Sequence, residues 1–192
     1  MTTTAIFAEL LVTGLQAIVW LVLASLSVAG LTWIDVGTVA TRFKDWASLI
    51  SVFVLGFAYA LGIIVDRVAD SLFYPMDKGL RDRQVVANLP SVANMRLYVS
   101  AEKEGLARFL DYERSRLRLA RSTCFNLFFI TITATVLLTR SSAGNMEIIA
   151  VIAGGLVLFL LSMFAWRRIS CTYYERLAQG YKLLIKPDFS PQ

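Results

Sequence analysis

Long apolar runs alternate with charged stretches along this chain. The runs cover approximately Ile6–Leu31, Ala47–Val65, Cys124–Thr139 and Ile148–Trp166. A helix needs about 20 apolar residues to cross a hydrocarbon core, and each run reaches or nearly reaches this length. The pattern predicts an all-α, polytopic membrane protein with four transmembrane helices. Because Met1–Ala5 carries no Lys or Arg, we expect the first run to be a retained span and not a signal peptide.

Helical periodicity continues beyond spans two, three and four. After Val65 the helical pattern runs on to Pro75, and Ser100 is predicted to cap one continuous helix over about Ala101–Thr139. Apolar residues at i, i+3 and i+4 spacing extend span four in the same way. We therefore expect spans two to four to extend into a helical cytoplasmic stalk, with Met76–Val99 as an irregular or short-helix connector.

These elements divide the chain into four parts. Residues 1–66 are predicted to form an N-terminal transmembrane hairpin, with spans at about 6–31 and 47–65. Residues 67–121 form a cytoplasmic helical segment, and residues 122–166 form a second hairpin with spans at about 124–139 and 148–166. Residues 167–192 form a cytoplasmic tail helix.

Basic residues are distributed very unequally between the two sides of such a bundle. Of the 19 Lys and Arg residues, only Arg42, Lys44 and Arg140 fall in the two loops on one side. The other sixteen lie in the central segment and the tail. Cytoplasmic loops carry the excess of Lys and Arg, so this count predicts that both termini are cytoplasmic. A bacterial inner membrane is the expected location.

Composition argues against an enzyme. The chain has no histidine, which removes the commonest general base near neutral pH and the commonest transition-metal ligand. Its two cysteines, Cys124 and Cys171, are far apart in sequence and form no CxxC pair. No nucleotide-binding or hydrolase motif is present. We expect no catalytic residues, no metal and no cofactor.

Polar residues follow one face of the first span. At 100° per residue the face contains Glu9, Thr13, Gln16, Trp20 and Ser27. Polar groups in hydrocarbon are costly and usually face protein or water. One interpretation is therefore a pore or cavity lining, and the other is a helix contact with Glu9 at the interface.

The inner end of span two carries the acidic residues of the sequence Asp66-Arg67-x-x-Asp70. If several copies surrounded an axis, Asp66 could belong to a carboxylate ring at the mouth of a channel. The simpler interpretation is a solvated helix surface with an Arg67–Asp70 pair.

Small residues recur at four-residue spacing in two spans. Such pairs allow close approach of helix backbones, either within one protomer or between protomers. The short third and fourth spans offer little internal core, so we expect a homo-oligomer. The pairs are Gly56 with Ala60, Ala58 with Gly62, and Ala150 with Gly154.

Two further residue sets are predicted to bind partners. Basic residues at the membrane boundary are expected to contact anionic lipid headgroups: Arg114, Arg118, Arg121, Arg167 and Arg168. Nucleic-acid binding is not favoured, because no aromatic residues are interleaved on the same face. Aromatic and apolar stalk residues are expected to dock a cytoplasmic protein: Phe109, Leu110, Tyr173, Leu177 and Tyr181.

In architecture the chain resembles small four-helix membrane components of bacterial anti-phage defence systems, such as the membrane subunit of Kiwa. The features that carry the resemblance are the helix Ala101–Thr139, the hairpin turn Arg140–Glu147 and the tail helix Trp166–Leu184. The resemblance implies a non-enzymatic scaffold whose soluble partner supplies the chemistry. The alternative is an ion channel, a small-solute permease or a pore-forming effector.

Overall fold

The computed structural model describes residues 3–30, 46–84 and 89–185. Within these ranges it contains five helices and no strand: α1 (Thr3–Ala29), α2 (Ala47–Gln84), α3 (Val92–Glu102), α4 (Glu104–Arg140) and α5 (Asn145–Ile185). Helices α1, α2, α4 and α5 are each long and apolar enough to cross a membrane. The prediction of an all-α protein with four candidate spans is confirmed.

Three of the spanning helices are much longer than a bilayer requires. Helices α2, α4 and α5 contain 38, 37 and 41 residues. At about 1.5 Å per residue they measure roughly 55–60 Å, twice the thickness of a hydrocarbon core of about 30 Å. Their additional length forms the helical stalk that the sequence predicts.

Helix α2 does not end at Pro75, and this corrects the expected connector. The helix passes through Pro75 and continues for two and a half further turns to Gln84. A proline inside a helix removes one hydrogen bond and crowds the preceding turn. Here Phe73 and Leu80 lie buried in the same core on either side of the proline, and their burial offsets the local cost.

The start of α4 also differs from the expectation. Ser100 caps no helix, because it lies inside α3, where Met95 and Val99 are fully buried. The N-cap of α3 is Ser91, whose hydroxyl accepts a hydrogen bond from the Asn94 backbone N–H at 3.3 Å. Extended backbone at Lys103 then separates α3 from α4.

The main hydrophobic core lies in the stalk and at its junction with the spans. Tryptophan Trp166 at the end of span four is completely buried, with its ring edge-on to Phe73 at 5.0 Å between centroids. Helices α4 and α5 pack against each other along the stalk, and α3 packs on both. Apolar side chains on the outer faces of the spans are exposed, as lipid-facing side chains are expected to be.

Candidate functional site

A polar contact joins α1 to α4 inside the bundle. The Asn126 side chain, fully buried, donates to the Thr13 carbonyl at 3.0 Å and to Gln16 Oε1 at 3.2 Å. It accepts from Trp20 Nε1 at 3.1 Å. The polar face predicted on the first span therefore packs on another helix of the same protomer.

The two ends of that face are also engaged within the protomer. Glu9 lies 3.3 Å from Arg118 Nη2, and the Ser27 carbonyl accepts from Arg140 at 2.6 Å. These contacts agree with the helix-contact interpretation. In this conformation Glu9, Thr13 and Gln16 face α4, so they do not form the open polar surface that a pore lining needs.

Arg121 sits between two carboxylates of α2. Its side chain is 8% exposed, it contacts Asp66 Oδ1 at 3.3 Å, and it donates a hydrogen bond to Asp70. Asp66 is thus an ion-pair partner in the protomer. Arg121 therefore does not lie on the open bilayer surface, because its guanidinium is buried and held by two acids of α2. Any headgroup contact of Arg121 would have to be made from inside the bundle.

A polar cavity of about 230 Å³ opens beside this cluster. It lies where the spans join the stalk, between α2, α3, α4 and α5. Arginines outnumber aspartates five to three in its wall. The lining residues are Asp66, Arg67, Asp70, Asp77, Val92, Arg96, Arg114, Leu117, Arg118, Arg121, Tyr173 and Tyr174.

Several polar atoms near the cavity are buried without a hydrogen-bond partner among the described residues. They are Arg118 Nε, Arg121 Nε and Asp77 Oδ1. Such groups are rare in native proteins and are usually satisfied by water or by a bound molecule. This cavity is therefore the candidate functional site.

Tyr174 and Arg114 also line the cavity. Tyr174 donates to Asp77 Oδ2 at 2.5 Å, and burial and this hydrogen bond raise the pKa of Tyr174. Arg114 has no carboxylate within ion-pair distance in the described part of the chain. Burial and the charges of Arg96 and Arg118 lower the pKa of Arg114. The region around Arg114 is consequently electropositive.

The remaining headgroup candidates occupy different environments. Arg118 is partly buried against Glu9, whereas Arg167 and Arg168 are exposed at the end of span four that joins the stalk. Headgroup contact by Arg167 and Arg168 stays a prediction.

The small residues divide between inner and outer faces. Ala58 and Gly62 pack on α1: a Cβ on Gly62 would lie 1.9 Å from the Leu10 carbonyl oxygen. This pair therefore belongs to the contact within the protomer. A Cβ on Gly56 or Gly154 would meet no atom of the described residues within 4 Å, so these two glycines face outward. Ala60 and Ala150 are exposed on the same two helices.

Most of the predicted docking residues are in the stalk core, which corrects that prediction. Leu110, Tyr173 and Leu177 are buried between the stalk helices, and Tyr181 packs edge-on against Tyr98 at 5.4 Å. Only Phe109 remains substantially exposed. Protein cores and docking surfaces are both rich in aromatic and apolar residues. Residue type alone therefore does not distinguish a core position from a docking position.

Phe109 lines an apolar groove of about 310 Å³ towards the end of the stalk. The Arg176 guanidinium lies over its ring at 5.0 Å, and Leu183 is exposed on the opposite helix. The groove is lined by Lys103, Leu106, Phe109, Arg176, Gln179, Gly180, Leu183 and Leu184.

One residue at the centre of the α1–α4 contact, Asn126, is not among the residues that the sequence singles out. It is the one amide in the run Cys124–Thr139, whose other polar side chains are mainly threonines, and that amide was the available signal. In the described residues no group of three or more His, Cys, Asp or Glu side chains is placed to hold a metal ion.

Comparisons with protein families, with curated proteins and with solved structures find no match to this chain.

Proposed function

We propose that the protein is a non-enzymatic, homo-oligomeric membrane protein whose cytoplasmic stalk anchors or regulates a soluble protein partner. The expected setting is a bacterial inner membrane with both termini cytoplasmic. A place among the membrane components of anti-phage defence systems is part of this proposal and rests on the architectural resemblance.

The observation that carries the proposal is the continuity of the spanning helices with the stalk. Helices α4 and α5 run without a break from the spans into a core of buried aromatic and aliphatic side chains. A partner held at the end of this stalk would be fixed in distance and orientation relative to the membrane. A flexible tether would not fix this distance and orientation.

The groove at Phe109 is the surface best suited to such a partner. It combines an exposed aromatic ring, the exposed Leu183 side chain and the Arg176 cation. Aromatic and Arg side chains are enriched at the residues that contribute most to binding. An apolar side chain of a cytoplasmic protein would fill the groove, and an acidic group beside it would meet Arg176.

The outward small residues support self-association in the membrane. Gly56 on α2 and Gly154 on α5 present flat backbone surfaces on the outside of the protomer. Close packing of small residues is a principal source of helix association in lipid. We therefore place contacts between protomers on these two faces and not at Gly62.

The test is a mild-detergent purification from native cells followed by native mass spectrometry. We expect Phe109→Ala combined with Leu183→Ala to release the soluble partner while the oligomer mass is unchanged. The matched control is Leu72→Ala, which removes an exposed leucine from α2. Retention of the partner by the double variant, or loss of the partner in the control, would contradict docking at the groove.

The permeation alternative predicts a different outcome. Purified protein in liposomes would pass ions without a partner, and Glu9→Gln or Asp66→Asn would change the selectivity. Because both carboxylates are paired with arginines of α4, we expect no partner-free conductance. Currents that these substitutions alter would replace our proposal with a channel.

A further inference from the structure

The arginines that line the cavity between the stalk helices offer more hydrogen-bond donors than the aspartates beside them can accept. A guanidinium offers five N–H donors in a planar fork. Arg121 is held by Asp66 and Asp70, yet its Nε has no partner among the described residues. Within the same part of the chain Arg118 makes one contact, to Glu9, and its Nε is also buried without a partner.

Arg114 adds an exposed guanidinium that forms no ion pair with a carboxylate among the described residues. It lies one turn from Arg118 on α4, so both side chains project from the same face of the helix. The neighbouring Arg96 of α3 already forms an ion pair with Asp111, at 3.7 Å. The three arginines of α4 thus line one cavity from a single helix, with Arg121 buried, Arg118 partly buried and Arg114 exposed.

The position and size of the cavity restrict its ligand. A water molecule occupies about 30 Å³, so 230 Å³ accommodates a group as large as a phosphate together with several waters. Asp66 and Arg121 line the cavity and mark the inner ends of spans two and three. The cavity therefore lies at the depth of the cytoplasmic headgroups.

We propose that this cavity binds the phosphate group of a glycerophosphate ligand through Arg114, Arg118 and Arg121. The ligand is either a phospholipid headgroup of the cytoplasmic leaflet or a soluble phosphate ester. Planar guanidinium forks match phosphate oxygens in a bidentate manner, which a single ammonium group does not. The Asp77 Oδ1 atom accepts a hydrogen bond from a ligand hydroxyl.

The proposal differs from general attraction of basic residues to anionic lipid. The cavity is lined by residues of four helices, and two of its donors, Arg118 Nε and Arg121 Nε, are buried without a partner among the described residues. A bound glycerophosphate would also join α4 to α2, through the arginines and Asp77. The inference stands independently of any protein partner.

The test compares two ligands that both contain a glycerophosphate group, one soluble and one lipid. Binding of glycerol 3-phosphate to the full chain in neutral detergent is measured by calorimetry. Retention of phosphatidylglycerol against phosphatidylcholine is measured by native mass spectrometry. Arg114→Gln removes a charge that supports no ion pair among the described residues, and Arg108→Gln is the matched control on the same helix. Arg108 is exposed and, in that part of the chain, pairs only with exposed Glu104.

We expect Arg114→Gln to weaken binding about tenfold or more, since a charge-assisted hydrogen bond is lost. Arg108→Gln should leave binding unchanged, and Arg114→Lys should recover part of it. Selective retention of the lipid identifies a headgroup, and binding of glycerol 3-phosphate identifies a soluble ester. Equal loss in Arg114→Gln and Arg108→Gln, or binding of neither probe by the unaltered chain, overturns the proposal.

Discussion

Replacing Asn126 with leucine isolates the contribution of the polar contact between α1 and α4. The substitution removes three hydrogen bonds, to Thr13, Gln16 and Trp20, and substitutes an apolar side chain of comparable size. Leucine is also better tolerated in hydrocarbon than asparagine, so insertion of the span should not suffer. Any loss of stability then reports on the contact itself.

The expected magnitude follows from the three bonds. Hydrogen bonds between membrane helices contribute on average about 0.6 kcal/mol each, and at most about 1.7 kcal/mol. The sum is about 2 kcal/mol, which corresponds to an approximately 30-fold change in the unfolding equilibrium constant. A Trp20 N–H left without an acceptor would increase the loss.

The assay is reversible unfolding in mixed micelles, followed by tryptophan fluorescence or by forced unfolding of single molecules. Thr135→Val is the matched control, because the Thr135 hydroxyl bonds only to the Thr131 carbonyl of its own helix among the described residues. Combining Asn126→Leu with Trp20→Phe should give less than the sum of the two single effects. Unchanged or increased stability of Asn126→Leu, with the control unaffected, would refute the argument that this polar face is a structural contact.

Three other outcomes are expected. Gly62→Leu should prevent the first hairpin from packing, because even a Cβ would overlap the α1 backbone, whereas Gly154→Leu should leave the protomer folded and reduce the oligomer mass in native mass spectrometry. Cysteine probes in a background lacking Cys171 should label from the outside at Gly144 and only from the cytoplasmic side at Lys182, and labelling of Lys182 from the outside would contradict the expected topology. Tyr174→Phe should cost about 1–3 kcal/mol in chemical unfolding, since it removes a hydrogen bond from a buried phenol to the Asp77 carboxylate; no change would mean that water replaces the phenol.

The helices were predictable because their signal is local. Apolar runs of membrane length and the i, i+3, i+4 series in α5 are repeated many times along each element. The end of α2 was not predictable in this way. Pro75 is a strong local signal for termination, and only the packing of Phe73 and Leu80 on distant helices overrides it.

The candidate site could not be predicted because it is formed by contacts between residues that are distant in sequence. Arg114, Arg118 and Arg121 have the spacing of one helix face, but this spacing does not show which helices that face packs against. The acids that bury Arg121 lie 51 and 55 residues away in the chain. Similarly, Tyr173 and Leu177 have the composition of a binding surface, and the side of the helix that packs decides that they form the core.

The central claim, that the stalk holds a soluble partner, is tested most directly by photo-crosslinking in living cells. A photoreactive amino acid placed at Phe109 should give an adduct with a soluble cytoplasmic protein. The amount of this adduct should increase with the amount of the membrane protein. The same probe at Leu72 should not give this adduct. Adducts formed only with lipid or with a second copy of the chain, or identical adducts at both positions, would contradict the account.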